Sequence, residues 1–87
     1  MKTSRNFDEI DTRKAQIQEE ELLTKIGVRL KKLREDSGLT LLDVAFYTYV
    51  NMSTLHRLEK GKLSNITTLS LIKICLFFEI DIKDLLM

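Results

Sequence analysis

The 87-residue sequence contains no proline, no tryptophan, three glycines and one cysteine. Without proline, no position forbids a helix outright, and three glycines supply few natural helix ends. The apolar share of 44% is enough for one modest core, whereas 87 residues are too few for two separate cores. The composition therefore favours a single all-α fold unit.

The single cysteine and the lack of long apolar runs bear on where the protein works. Cys75 cannot form an internal disulfide, and it lies in an apolar run where a thiol acts as a small hydrophobe. No apolar stretch reaches the roughly 18 residues that a membrane span requires, and the first residues show no hydrophobic signal region. We expect a soluble protein in a reducing cytoplasm.

The sequence also lacks the residue sets that enzymes and metal sites need. His56 is the only histidine, and Cys75 lies in a different helix, so three or four metal ligands cannot be assembled. No nucleophile is paired with a base, and no glycine-rich phosphate loop is present. The consecutive residues Glu19, Glu20 and Glu21 are typical of a solvated helix face. We expect no enzymatic activity, metal, cofactor or small-molecule ligand.

Charge is nearly balanced, with 14 basic and 13 acidic residues, so net charge gives little support for nucleic-acid binding. The distribution is uneven, because residues 1–24 carry a net charge of −2 and residues 25–87 carry +3. We therefore predict an N-terminal arm, residues 1–24, followed by a mildly basic domain, residues 25–87.

The arm is predicted to be partly helical. Asp11 or Thr12 could cap a helix of good helix formers that runs to Leu22, but its apolar stripe is too thin to bury much. The arm could lengthen a dimer interface, contact DNA or be a solvated tail. Its six acidic residues argue against DNA contact. The residues that would make such a contact are Lys2, Arg5, Arg13 and Lys14.

Apolar residues at helical spacing predict five helices in the domain. Ile26, Leu30 and Leu33 share one face of the first helix, which should end at Gly38. In chain order the predicted helices cover about residues 26–37, 40–48, 51–58, 68–78 and 82–86. The later helices begin at cap residues, namely Thr40 with Asp43 in a near capping box, Asn51 or Met52, Thr67 or Thr68, and Asp81.

The second and third helices are short and are joined by very few residues. This is the geometry of a helix-turn-helix, whose first helix crosses the phosphate backbone while its second enters the major groove. The sequence here resembles the phage repressor and Cro-type (XRE-like) helix-turn-helix family, which implies a repressor-like bundle and a sequence-specific transcriptional regulator. The resemblance is carried by Ile26 to Glu35, Gly38-Leu39-Thr40, Asp43-Val44-Ala45 and Ser53 to Gly61.

The resemblance also implies roles for individual side chains. It sets four residues on the groove face of the third helix, namely Met52, Ser53, His56 and Arg57. Arg57 could donate two bonds to guanine O6 and N7 or grip a phosphate. Three residues would lie near phosphates, namely Thr54, Thr40 and Lys62. Arg34 and Glu59 look like the pair that ties the first helix to the end of the recognition helix.

Two residues depart from the family pattern. Leu41 stands where many members have a glutamine that anchors the second helix to the DNA backbone. Tyr49 occupies a turn position commonly filled by glycine, where positive φ costs a bulky residue on the order of 1 to 2 kcal/mol, so the turn could take a different path. The apolar residues of the second helix and its turn are expected to lie mostly in the core, the alternative being a protein-contact patch; they are Leu41, Leu42, Phe46, Tyr47, Tyr49 and Met52. The alternative function is a protein-protein interaction module that lost DNA binding.

We expect the regulator to bind double-stranded DNA as a homodimer, with paired half-sites about one helical turn apart. Residues 63–74 and 80–86 resemble, in particular, the small controller proteins of restriction-modification systems, which dimerise through their C-terminal helices. A dimer also doubles the few base contacts that one small domain can make. The residues implied at or near the dimer interface are Phe77, Phe78, Ile80, Leu85, Leu86 and Met87.

Overall fold

A computed structural model describes residues 10–63 and 65–86 of the chain. These residues form five helices and no strand. In chain order the helices are α1 Thr12–Asp36, α2 Leu41–Thr48, α3 Met52–Glu59, α4 Thr68–Phe78 and α5 Ile82–Leu86. The predicted all-α, five-helix fold is confirmed, and none of the described helices is both long and apolar enough to cross a bilayer.

Helix α1 is longer than the sequence pattern predicts. The Asp11 side chain caps it by accepting a hydrogen bond from the Lys14 amide at 3.1 Å, and the helix continues unbroken to Asp36. The expected boundary between residues 24 and 25 therefore falls inside a helix. The physical reason is that residues 13–22 contain no helix breaker and that Leu23, one turn before Gly27, is already buried in the core.

The core lies where α1 crosses α3 and where α4 and α5 close the bundle. The largest fully buried side chains are Ile26, Leu58, Ile74 and Leu85. Burying each of them contributes about 1.5 to 3 kcal/mol. Cys75 is also buried, and its burial, with smaller effects from Asp81 and Asp84, raises the pKa of the thiol. The thiol therefore packs as a neutral hydrophobe.

Helices α1 and α3 approach each other closely at Gly27. A Cβ built on Gly27 would lie 1.9 Å from the Leu58 carbonyl oxygen and 2.8 Å from the Leu58 carbonyl carbon. Only glycine permits two helix backbones to cross at this distance. The crossing fixes how α3 is presented to solvent.

The turn between α2 and α3 is strained at Tyr49. Its φ of 60° is in the left-handed region that glycine commonly occupies, and its amide donates to the Ala45 carbonyl at 2.9 Å. The turn thus keeps the left-handed conformation instead of taking a different path, at a cost of about 1 to 2 kcal/mol. Gly38 and Gly61, by contrast, end α1 and α3 at a φ of 71° without a Cβ to strain, as predicted.

Candidate nucleic-acid interface

Helix α3 presents a polar side to solvent. Asn51 caps its first turn by accepting a hydrogen bond from the Ser53 amide at 2.8 Å. Leu55 and Leu58 are buried against the bundle, so the opposite side of α3 points outward. That side brings together the four groove-face candidates, all exposed, namely Met52, Ser53, His56 and Arg57.

The three phosphate-contact candidates occupy different places around α3. Thr54 lies on α3 and is partly buried, Lys62 is exposed just after α3, and Thr40 is exposed at the start of α2. The Thr40 hydroxyl accepts a hydrogen bond from the Asp43 amide at 3.0 Å, and the Asp43 carboxylate accepts one from the Thr40 amide at 2.9 Å. Thr40 itself is exposed, so its hydroxyl group is open to solvent at the start of α2.

The capping box gives the start of α2 a predictable response to acid. Hydrogen bonds from the Thr40 amide and then from the Thr40 side chain lower the pKa of Asp43 below the ordinary value of 3.8. A carboxylate with a lowered folded pKa contributes stability above its ordinary pKa and loses that contribution as pH falls through the folded pKa.

Asp43→Asn is therefore expected to lower the thermal midpoint at neutral pH, with the difference from wild type shrinking below about pH 4. Thermal unfolding of both proteins across this range measures the difference. A difference that stays constant into strong acid would show that the carboxylate charge makes no contribution.

Arg34 and Glu59 form a partly buried pair between α1 and the end of α3. The Nε of Arg34 donates to one carboxylate oxygen of Glu59 at 2.7 Å, and a terminal guanidinium nitrogen donates to the other oxygen at 2.9 Å. A third nitrogen donates to the Leu39 carbonyl at 2.8 Å. The hydrogen bond to Glu59 raises the pKa of Arg34 against the opposing effect of burial. The pair holds α3 without forming part of its exposed side.

The six C-terminal interface candidates differ in exposure. Leu85 is only 1% exposed because it packs into the core of its own chain, so it presents no surface to a partner. Leu86 is exposed, whereas Met87 lies outside the described residues, as do residues 1–9 with Lys2 and Arg5. The remaining three are half-buried against the core, namely Phe77, Phe78 and Ile80.

Sequence reasoning missed an exposed apolar stripe on α4. Leu69, Ile72 and Leu76 follow one another at helical spacing and are 61%, 40% and 72% exposed. The spacing of these three residues was the sequence signal that could have indicated the stripe. The signal was weak because most positions of α4 are apolar.

Helix α2 and its turn carry a second exposed apolar surface. Leu41 is half-buried and packs against the core, and its aliphatic side chain cannot make the hydrogen bond of the family glutamine. The side chains that remain exposed are Leu42, Phe46, Tyr47 and Tyr49. The Tyr47 ring stacks on Phe77 of α4 with centroids 5.6 Å apart. The expectation that these side chains lie in the core is therefore wrong, because the short α2 buries only the face that carries Val44 and Thr48.

Comparison with known proteins places this geometry in a family. The sequence profile of the Cro/C1-type helix-turn-helix DNA-binding domain matches residues 29–87. The restriction-modification controller protein C.AhdI from Aeromonas hydrophila has a similar structure, with a TM-score of 0.66 and 28% identity over 72% of this chain and 94% of that chain.

A second similar structure is that of the clp gene regulator ClgR from Corynebacterium glutamicum. Its TM-score is 0.67, with 28% identity over 75% of this chain and 68% of that chain. No curated protein matches the sequence. Because the profile matches residues 29–87, well over half of the chain, the chain belongs to the Cro/C1-type helix-turn-helix DNA-binding family.

Proposed function

We propose that this DNA-binding protein is a sequence-specific transcriptional regulator that inserts α3 into the major groove. The observation that carries the proposal is the exposed polar side of α3. In the major groove each base pair offers a distinct set of donors and acceptors, so a helix with such a side can read sequence. Arg57 donates to guanine O6 and N7, Ser53 and His56 bond base edges or phosphates, and Met52 packs on a thymine methyl.

Phosphate contacts set the register of α3 in the groove. The Thr40 hydroxyl at the start of α2, the Thr54 hydroxyl on α3 and the Lys62 ammonium group just after α3 bind the DNA backbone. Such contacts orient the protein and carry no sequence information. Affinity should therefore depend strongly on salt even though the net charge is only +1.

The regulator is proposed to act as a homodimer on paired half-sites about one helical turn apart. A single domain of this size contacts few bases, and two-fold symmetry doubles them. The exposed α4 stripe of Leu69, Ile72 and Leu76 supports an apolar interface at the C-terminal end, as does the exposed Leu86 of α5. The half-buried residues Phe77, Phe78 and Ile80 would line its edge.

One observation favours a second candidate function, a protein-interaction module on the same scaffold. The exposed apolar surface of α2, with Phe46, Tyr47 and Tyr49, is unusual for a face that only borders DNA. A gel shift with random-sequence duplex at low and moderate salt separates the two functions. Retardation that weakens with salt supports DNA binding, and no retardation even at low salt supports the protein partner.

Arg57→Ala tests base recognition. We expect specific binding to weaken by about 1 to 3 kcal/mol and the preference at one base position to relax, because the guanidinium no longer pairs with a base edge. Titration of the preferred site and its single-base variants measures both effects. Lys83→Ala, which removes an exposed charge from α5, is the matched control and should change neither. Equal loss on every sequence would assign Arg57 to a phosphate.

Lys62→Ala tests the backbone contact. Its expected effect is a uniform loss of affinity on all duplexes and a reduction of the salt slope by about one unit, because one fewer counterion is released. Binding titrations at several salt concentrations give the slope. An unchanged slope would remove Lys62 from the interface.

A further inference from the structure

The N-terminal half of α1 projects away from the bundle. Every residue from 12 to 22 is exposed, and burial of α1 begins only at Leu23. The molecule accordingly measures 51 Å along its longest axis and 23 and 19 Å across. The family profile begins at residue 29, so the projecting half lies before the matched part of the chain.

Four of the five charged residues on the projecting half are arranged symmetrically about Ile17. Arg13 and Lys14 precede Ile17 by one helical turn, and Glu20 and Glu21 follow it by one turn. Residues three and four positions apart share a helix face, so all four charges flank the Ile17 side chain, which is 50% exposed. None of the four makes an ion pair with another described residue.

We infer that this face binds the same face of a second copy of the chain in antiparallel orientation. A two-fold axis beside Ile17 brings the two Ile17 side chains together. It also sets the basic turn of each copy, Arg13 and Lys14, opposite the acidic turn of the other, Glu20 and Glu21. A parallel pair would instead align like charges, so the charge pattern selects the antiparallel arrangement.

The surroundings of Ile17 fit a second helix. A shallow groove runs from the projecting half onto the bundle and is lined by Ile17, Glu20, Glu21, Thr24, Lys25 and Gly61. Ile10, which is 82% exposed, directly precedes the Asp11 cap of α1, so in the antiparallel pair it comes to the end of the contact that is nearest the other copy's bundle. The contact is distinct from the α4 surface proposed for the DNA-binding dimer, so it would join such units into a larger assembly.

Charge exchange in the full-length chain tests the inference. The double variant R13E/K14E makes the face wholly acidic, and E20K/E21K makes it wholly basic. Each is expected to halve the assembly mass measured by sedimentation equilibrium at a concentration where wild type is assembled. Combining all four substitutions keeps the net charge and rebuilds the pattern in reverse, so it should restore the wild-type mass. An equimolar mixture of the two double variants should do the same.

Glu19→Lys is the matched control, because Glu19 lies on the opposite side of the same turn, and it should leave the mass unchanged. Three results would each overturn the inference. They are a wild-type assembly mass for either double variant, a fourfold variant that stays dissociated, and dissociation of the Glu19→Lys protein. Gel shifts with a short duplex, run on the same proteins, report DNA binding separately. Failure of this contact is therefore distinguishable from failure of the proposed function.

Discussion

Glu59→Ala is expected to lower the free energy of unfolding by about 3 to 5 kcal/mol. The substitution leaves the Arg34 guanidinium, whose side chain is only 15% exposed, without the two carboxylate oxygens that it now binds at 2.7 and 2.9 Å. An uncompensated, partly buried charge costs far more than the pair itself contributes. Because the pair anchors the end of α3 to α1, DNA binding should fall with stability.

Denaturant titration of Glu59→Ala, Arg34→Ala and the double variant gives the coupling between the two side chains. The pair Lys32 and Asp36 is a matched control within the same protein, since it is joined at 3.3 Å but is 77% and 64% exposed. Its disruption by Lys32→Ala should cost less than about 1 kcal/mol. If Glu59→Ala and Lys32→Ala lower the free energy of unfolding equally, burial does not make the Arg34–Glu59 pair more stabilising than an exposed pair.

Gly27→Ala is expected to destabilise the protein by about 3 kcal/mol, the upper end for overpacking. In an open helix the same change would stabilise by about 1 kcal/mol, because alanine is the better helix former. Here the new Cβ would lie 1.9 Å from the Leu58 carbonyl oxygen, and that oxygen belongs to the backbone of α3. Helices α1 and α3 must separate, which also tilts the recognition surface.

Chemical denaturation and binding to a specific duplex measure the two effects of Gly27→Ala. Val28→Ala is the neighbouring control, since Val28 is 61% exposed and its truncation should change stability by less than about 0.5 kcal/mol. A Gly27→Ala protein as stable as wild type would contradict the close crossing of α1 and α3.

The helix-turn-helix could be predicted because its ends are set by local chemistry. Thr40 and Asp43 form the reciprocal cap that starts α2, and Asn51 caps α3 through the Ser53 amide. Gly61 ends α3 with the positive φ that glycine tolerates. Each of these signals acts within four residues, so it can be recognised from the sequence alone.

Features that depend on contacts between distant residues could not be predicted. Gly27 and Leu58 approach closely although they are 31 positions apart in the sequence, and no residue near Gly27 indicates this contact. The burial of Leu85 depends on the packing of α5 against α1. The sequence around Leu85 does not indicate that this side chain points into the core of its own chain. At Tyr49 the local rule favours glycine, yet the chain adopts the left-handed turn there, between the buried residues Val44 and Val50.

Selection of bound fragments from a random DNA library tests most directly the claim that the exposed side of α3 reads base sequence. Wild type is expected to enrich a palindromic motif of two half-sites about one helical turn apart. The same selection with Arg57→Ala should lose the preference at one position in each half-site. Recovery of fragments no different from the starting library, from a protein that is folded, would contradict the account.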